Sequence, residues 1–154
     1  MAARTSAAAS TAERVLVITR VFDAPRQLVF EAWTRPEHLV HWWGRRAFTL
    51  PSCTVDLRPG GAYRFCMRAP GGRDFWVSGV YGEIVEPERI VFTCALENED
   101  LSHEALWTVT FSEHEGKTTL TVHQVLLDLA RARGGAKEGL TESLERLARH
   151  LATV

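Results

Sequence analysis

Two histidines three residues apart are the first side chains in the sequence whose spacing could serve a metal ion. His38 and His41 would lie on one face of a helix, where positions i and i+3 are neighbours. Zinc needs three or four nitrogen, sulfur or oxygen ligands. Cys53, Cys66 and Cys94 lie in separate predicted strands without a Cys-x-x-Cys pair. We therefore predict no metal and no other cofactor, and interpret the two histidines as exposed or capping residues.

Acid–base chemistry would draw on a second group of side chains, namely Tyr63, Tyr81, His103, Glu83 and Arg64. A general base must lie within hydrogen-bond reach of its partner, and nothing in the sequence brings any two of these together. The sequence also contains no nucleophile elbow, phosphate loop or zinc signature. We predict no catalytic residue and interpret these side chains as cross-strand surface pairs. A cyclase- or hydrolase-type enzyme stays an alternative.

The elements that must position these residues begin with a strand and two short helices. Arg14–Phe22 is β-branched and largely apolar, which is typical of a strand. Asp23 stands two residues before Pro25, which predicts an N-cap for the first helix. Thr34 and Glu37 have the spacing of a capping box, which predicts the start of the second helix.

A series of strands separated by turns follows. Successive strands joined by regular short turns predict antiparallel pairing, with one face of the sheet in water. The facing of Phe75–Val85 cannot be assigned, because this segment is apolar on both parities. The predicted strands are Ala47–Leu57, Ala62–Arg68, Phe75–Val85, Ile90–Leu96, Ala105–Phe111 and Thr118–Leu126.

After Asp128 the apolar period changes from two to about 3.6, which predicts a long C-terminal helix. Glu142–Arg146 and Glu145–Arg149 have the i, i+4 spacing of surface ion pairs on its other face. The fold class is therefore α+β, with an antiparallel sheet of six to seven strands wrapped around this helix. The apolar stripe that faces the sheet is Leu140, Leu144, Leu147 and Leu151.

Length and charge exclude several classes of protein. A chain of 154 residues predicts one domain, here residues 14–154, preceded by a disordered tail over residues 1–13. The net charge of −1 provides no basic face, so we predict no nucleic-acid partner. No stretch has the roughly 18 apolar residues of a membrane span. An odd number of separated cysteines argues against a disulfide framework and favours the cytoplasm.

The order of the elements and several short segments together resemble a known family. The pattern is similar to the helix-grip fold of the START/Bet v 1-like (SRPBCC) superfamily. The branch that it resembles is the one named for the C-terminal domain of the activator of the heat-shock protein 90 ATPase. The segments that carry the resemblance are Phe22–Pro25, Val29–Thr34, Pro36–Leu39, His41–Gly44, Asp56–Gly61, Tyr63–Phe65, Gly79–Tyr81, Pro87–Thr93 and Gly139–Leu144.

The resemblance implies a cavity between the sheet and the long helix, which in relatives holds lipids, sterols, polyketides or aromatic metabolites. A small apolar or aromatic molecule is therefore the expected partner, and a homodimer is a further expectation. A protein-interaction module with chaperone contact is the alternative. The resemblance supports it weakly, because only a short tail precedes the first strand, where the eukaryotic co-chaperone has a large N-terminal domain.

Nine aromatic residues, Trp33 among them, are expected near this cavity, and about half of them would fill the core instead. Trp42 and Trp43 are favoured for the pocket, since two adjacent tryptophans of one helix cannot both face its core. Gln124 occupies the apolar register of the last strand, where it would bind backbone, water or ligand. The candidate ligand-contacting residues are Trp42, Trp43, Tyr63, Phe65, Trp76, Tyr81, Phe92, Trp107, Val109, Gln124, Leu144 and Leu147.

Overall fold

The computed structural model describes residues 15–97, 104–126 and 136–154, so the predicted tail over residues 1–13 lies outside the described part. The helices in these ranges are α1 (Arg26–Thr34), α2 (Pro36–Trp42) and α3 (Ala136–Leu151). The strands are β1 (Val15–Phe22), β2 (Thr49–Val55), β3 (Ala62–Arg68), β4 (Asp74–Val85), β5 (Arg89–Leu96), β6 (Ala105–His114) and β7 (Lys117–Leu126). This order confirms the predicted strand, two short helices, meander and C-terminal helix.

The described strands form one antiparallel sheet in the order β1-β7-β6-β5-β4-β3-β2. β2 to β7 form a meander, in which each strand pairs with the next along the chain. β1 pairs with β7 instead, from Val15 opposite Val125 to Phe22 opposite Thr118. The two edges of the sheet are therefore β1 and β2. This arrangement is the helix-grip fold expected from the sequence.

Strand alternation gives the sheet an inner face, which packs against the helices, and an outer face in water. In β3, Tyr63 and Phe65 are buried, whereas Arg64 and Arg68 are exposed. Such alternation follows from the two-residue period of a strand. Every second residue of a strand therefore points to the inner face. In β3 to β5, many of these inward-facing residues are aromatic.

The leucine stripe of α3 faces the core as predicted. Leu144 and Leu147 are 1% and 0% exposed, and Leu140 and Leu151 are also buried. Burial of each leucine stabilises the fold by about 1.5–3 kcal/mol. α3 packs against α1, α2 and β1, so the three helices lie together beside the β1 end of the sheet.

The starts of the two short helices differ from the prediction. Pro25, not Asp23, is the N-cap of α1, and no side chain caps that helix. The capping box does not form, because the hydroxyl of Thr34 donates to the carbonyl of Phe30 at 2.9 Å. Arg35, with φ −105° and ψ 129°, is the N-cap of α2 instead. The reason is Pro36, since a residue before proline is held in extended backbone.

None of the helices in the described ranges combines the length and the apolar character that crossing a membrane would require. The long helix α3 has 16 residues and carries both glutamate and arginine on its outer side. A spanning helix needs about 20 mostly apolar residues.

Candidate functional site

Six aromatic side chains line a small pocket on the inner face of the sheet, beside α1 and the end of α2. We call it the aromatic pocket. Its volume is about 10 Å³. This is room for about one water molecule, since a buried water needs roughly 10–15 Å³ on this measure. The residues that line it are Trp33, Trp43, Tyr63, Phe65, Tyr81 and Phe92.

Three neighbouring strands supply the sheet wall of the aromatic pocket. Tyr63 and Phe65 are two residues apart in β3 and so point to the same face. Tyr81 of β4 lies opposite Phe92 of β5 in the sheet register. The ring of Tyr63 is central, with centroids 5.0 Å from Phe65, 5.4 Å from Tyr81 and 5.7 Å from Phe92. These distances are typical of packed aromatic pairs.

Tyr63 is fixed at both ends of its side chain. Its backbone pairs with Gly79 in β4, and its hydroxyl donates to the carbonyl of Thr93 in β5 at 2.5 Å. The side chain therefore crosses β4 where that strand has no side chain of its own. A side chain at position 79 would occupy the space of the Tyr63 ring, so this position of the pocket wall requires glycine.

The helix wall consists of Trp33 from α1 and Trp43, which follows α2. The ring of Trp43 lies 5.3 Å from Phe65 and 6.0 Å from Trp33, and it stacks on Trp107 at 5.6 Å. Trp43 therefore touches both walls. It is 9% exposed, whereas Trp33 is 3% exposed, so Trp43 is the more accessible of the two.

The favoured pair of tryptophans behaves differently from the prediction, because both are buried. Trp42 is fully buried, and its indole N–H donates to the carbonyl of Ala32 at 2.9 Å. The argument that two adjacent tryptophans cannot both face the core is wrong for this pair. Trp43 is the C-cap of α2 with φ −66° and ψ 129°, so its side chain does not follow the helical spacing. Trp42 belongs to the core, and Trp43 lines the pocket.

Trp76 lies on the other face of the sheet from the aromatic pocket. It pairs with Cys66 in the register of β3 and β4, one residue out of phase with Phe65 and Val77. The guanidinium of Arg64 lies 3.9 Å from the centre of its ring, which is a cation–π contact at the surface. Its placement among the ligand candidates is therefore wrong, because β4 could not be given a facing from sequence.

The remaining candidates lie near the pocket or in the core but not among the pocket's lining residues. Trp107 is 9% exposed and supports Trp43 from behind. Gln124 is 3% exposed and lies opposite Trp107 in the register of β6 and β7. Val109, Leu144 and Leu147 are core residues with at most 1% exposure. Among the described residues, the aromatic pocket lies beside α1 and the end of α2.

A set of contacts from α3 holds the loop that carries Trp43, and we call it the Arg146 clamp. The guanidinium of Arg146 donates to the carbonyls of His41, Gly44 and Arg45 at 3.3, 3.1 and 3.0 Å. The hydroxyl of Ser143 donates to the carbonyl of Gly44 at 2.9 Å. The carbonyl of His41 is one of the last of α2, which have no partner within the helix, and those of Gly44 and Arg45 belong to the loop that follows.

The Arg146 clamp replaces the surface pair predicted between Glu142 and Arg146. Glu142 accepts from the backbone N–H of Arg46 at 3.0 Å, and one of its oxygens lies 3.9 Å from the guanidinium of Arg45. Both members of the predicted pair therefore bind the loop after α2. The helical spacing was read correctly, but it carries no information about a loop about 100 residues earlier in the chain.

The aromatic pocket has no charged side chain in its lining, and its two phenols keep their protons at neutral pH. Burial is the main cause that raises the pKa of Tyr63 and of Tyr81. Burial likewise raises the pKa of the nearby thiol of Cys53 to about 12. A thiol with such a pKa is not a nucleophile, because the thiolate is the reactive form. The lining is therefore uncharged, and its side-chain polar groups are phenol hydroxyls and indole N–H groups.

The other acid–base candidates do not join the pocket. Arg64 forms two hydrogen bonds with Glu97, both 2.8 Å, and Glu83 forms an ion pair with Arg89. Both pairs are exposed, as predicted for Arg64 and Glu83. The prediction of surface pairs is wrong for Tyr63 and Tyr81, each of which is 3% exposed. His103 lies outside the described residues.

Three histidines meet where α2 packs on α3. Nδ1 of His38 lies 2.8 Å from Nε2 of His150, and the ring of His41 stacks on His150 with centroids 5.0 Å apart. Such a bond needs a proton on one nitrogen and a lone pair on the other. Within the described ranges, no three or more histidine, cysteine or acidic side chains are arranged to hold a metal ion.

The protein should lose stability as the pH falls through about 6.5, the usual pKa of histidine in an unfolded chain. Burial, followed by His38 and His41, lowers the pKa of His150 in the folded protein. The unfolded chain therefore takes up this proton at a higher pH than the folded one, which favours unfolding on acidification. Urea unfolding at about pH 7.5 and about pH 5.5 measures the effect.

Two variants separate His150 from the other histidines. His150→Asn should lose less stability than the wild type between the two pH values. His114→Asn should lose as much as the wild type, because the His114 side chain is 88% exposed. Equal losses in all three proteins would contradict the assignment.

Comparison with known sequences identifies the family. The family model described as Activator of Hsp90 ATPase homolog 1-like protein matches residues 23–152, most of the chain. The chain belongs to this family. The match runs from Asp23, at the end of β1, through α3, so it includes every residue that lines the aromatic pocket. No curated protein has a significantly similar sequence.

Several solved structures have the same fold as this chain. A Rhizobium leguminosarum protein is 29% identical with a TM-score of 0.74, covering 91% of this chain and 95% of its own. A Chromobacterium violaceum protein is 26% identical with a TM-score of 0.78, covering 88% and 95%. The AHSA1 protein of Silicibacter pomeroyi is 23% identical with a TM-score of 0.78, covering 90% and 98%. These coverages show that the helix-grip domain accounts for nearly the full length of each.

Proposed function

We propose that this protein binds a small, uncharged, aromatic or apolar molecule in the aromatic pocket. The observation that carries the proposal is a pocket lined by six aromatic side chains and no charged one. Ligand sites in proteins are mostly apolar and aromatic, with a few placed polar groups. Burial of an ionised ligand among these rings would cost several kcal/mol without a charged partner.

The size of the pocket adds a condition to this proposal. Its volume of about 10 Å³ holds about one water, so an organic ligand enters only if a side chain moves. Trp43 is the side chain best placed to move, because it lies just past the end of α2 and is the most exposed of the six lining residues, at 9%. Displacement of its indole would leave space for a ring of similar size. The cost of this displacement lowers the apparent affinity.

Binding of naphthalene, an uncharged probe of indole size, tests the proposal. We expect saturable quenching of tryptophan fluorescence, and about tenfold tighter binding to Trp43→Leu, which no longer has to displace an indole. Trp76→Leu is the matched control, since it removes a tryptophan from the outer face and should bind like the wild type. Absence of saturable binding to both the wild type and Trp43→Leu, with both folded by circular dichroism, would refute the proposal.

The small volume of the pocket also favours a second candidate, a protein-interaction module. The described pocket holds no organic molecule unless a side chain moves, and the family takes its name from an activator of a chaperone ATPase. Under this proposal the protein would raise the ATPase rate of the chaperone from the same organism, and naphthalene would not bind. A rate unchanged at saturating protein would exclude this candidate.

Enzyme activity, cellular location and oligomeric state are further proposals. A cyclase- or hydrolase-type enzyme would have to use the phenols of Tyr63 and Tyr81, which are the titratable groups of the lining. A cytoplasmic location is supported by the three cysteines, none of which forms a disulfide. A homodimer is the third, and gel filtration with light scattering would test it.

A further inference from the structure

One polar atom in the wall of the aromatic pocket has no partner. Within the described residues, the indole nitrogen of Trp33 is the buried side-chain donor or acceptor that makes no hydrogen bond. Trp33 is 3% exposed, so water does not reach this N–H from outside. A buried donor without a partner costs about 1–3 kcal/mol. Such a group in a native protein needs an explanation, and a bound ligand or ordered water is a common one.

The neighbouring polar atoms show that this fold normally satisfies its buried donors. The indole of Trp42, next to Trp33, donates to the carbonyl of Ala32 at 2.9 Å. The hydroxyl of Tyr63, in the opposite wall, donates to the carbonyl of Thr93 at 2.5 Å. The unpartnered N–H of Trp33 is therefore specific to this side chain and does not reflect a general shortage of acceptors.

The surroundings of Trp33 are carbon rings. Its indole meets Trp42, Trp43 and Trp107 edge to face, with centroids 4.8, 6.0 and 6.4 Å apart. The face of an aromatic ring accepts a hydrogen bond only weakly. A ligand atom with a lone pair would be a stronger partner than any of these rings.

We propose that the indole N–H of Trp33 is the polar contact of the ligand and donates to an acceptor atom that the ligand carries. This rests on the proposed function and narrows the ligand to a neutral aromatic molecule with a hydrogen-bond acceptor, such as a ring nitrogen or a carbonyl oxygen. A carboxylate does not fit, because no cationic side chain lines the pocket. Purely hydrocarbon ligands would fit the space but leave the N–H unpaired.

Quinoline and naphthalene test this directly, because they share one shape and differ by a nitrogen in place of a carbon. At about pH 7.5 quinoline is uncharged. The wild type should bind quinoline about 3- to 10-fold tighter than naphthalene, the range that one neutral hydrogen bond contributes. In Trp33→Phe this ratio should fall to about 1. The substitution also changes the size of the pocket, but this affects the affinity for both probes alike. The ratio of the two affinities within one protein is therefore insensitive to it.

Trp107→Phe is the matched control, since it removes an indole that contacts Trp43 but does not line the pocket. It should keep the preference for quinoline. A second readout in the wild type does not depend on the folding of any variant. The ¹H–¹⁵N signal of the Trp33 indole should move downfield with quinoline and not with naphthalene.

Each outcome decides between the proposals. Equal affinities of the wild type for the two probes, with no shift of the indole signal, would overturn this inference alone, because water or a ring face would then be the partner. A quinoline preference that persists in Trp33→Phe would also overturn it. If neither probe binds, the proposed function fails as well.

Discussion

Gly79→Ala should destabilise the protein by about 3 kcal/mol, the upper end of what overpacking a core usually costs. A Cβ at this position would lie 1.8 Å from the carbonyl oxygen of Thr93 and 2.8 Å from Cε1 of Tyr63. The first of these atoms belongs to the backbone of β5, so it cannot rotate away. Relief of the clash would separate β4 from β5 and push Tyr63 out of the pocket wall.

Gly82→Ala is the matched control, because it makes the same change in the same strand. Its Cβ would lie 3.7 Å from the nearest atom, the carbonyl oxygen of Val91, which is an ordinary contact. Urea unfolding of both variants measures the difference. We expect Gly82→Ala to stay within about 0.5 kcal/mol of the wild type, as most surface substitutions do. Similar losses for the two variants would show that the crossing of Tyr63 over Gly79 is not what constrains this position.

Arg146→Ala should cost about 2 kcal/mol, because the guanidinium donates to one carbonyl of the last turn of α2 and to two carbonyls of the loop after it. Hydrogen bonds from charged groups contribute about 1.5–3 kcal/mol, and part of this is regained where water replaces the arginine. Arg146→Lys should keep only a fraction of the stability that Arg146→Ala loses. An ammonium group lacks the planar guanidinium that reaches several carbonyls at once. Chemical denaturation measures all three proteins.

The same substitution should loosen the loop that holds Trp43. The backbone N–H of Trp43 donates to the carbonyl of Leu39 at 3.1 Å, and this bond should open more often without the Arg146 clamp. Faster hydrogen exchange at residues 43–46 would show it, whereas exchange in β6 and β7 should not change beyond the loss of global stability. Arg149→Ala, an exposed arginine on the same helix, is the control. Unchanged exchange at Trp43 in Arg146→Ala would refute a clamp role.

Most of the fold was predictable, because its signals are local and periodic. The alternation in β3 and the leucine stripe of α3 can each be recognised within a single element, because each element buries one face. The ends of α1 and α2 were less predictable, since two local signals compete there. Thr34 and Glu37 favour a capping box, but Pro36 holds Arg35 in extended backbone and moves the helix start by one residue.

The sheet wall of the pocket was predictable for the same reason, and β4 shows where this reasoning fails. The candidates Tyr63, Phe65, Tyr81 and Phe92 all line the pocket. β4 is apolar on both parities, and its register with β5 shifts between Tyr81 and Glu83. A bulge of this kind breaks the two-residue alternation, so the sequence of this strand does not reveal which side faces inward.

The helix wall depended on contacts between distant parts of the chain. Trp43 leaves the helical spacing because α2 ends at Trp42, and Arg146 holds the resulting loop from the other end of the sequence. Trp33 was counted among the aromatic residues near the cavity but not among the ligand candidates. Its distinguishing feature is an unpartnered N–H, which depends on the packing of its neighbours and leaves no trace in sequence.

The pairing of β1 with β7 has a consequence for how the chain folds as it is made. Val15 is synthesised about 110 residues before its partner Val125. Until then β1 has no neighbouring strand, and its residues Val17 and Val21, more than half exposed even in the finished protein, face water on an open edge. Pairings so distant in sequence form late and slowly. While the chain is being synthesised, β1 is therefore an unpaired strand that is prone to aggregation. Synthesis of β7 ends this stage, because β7 supplies its partner.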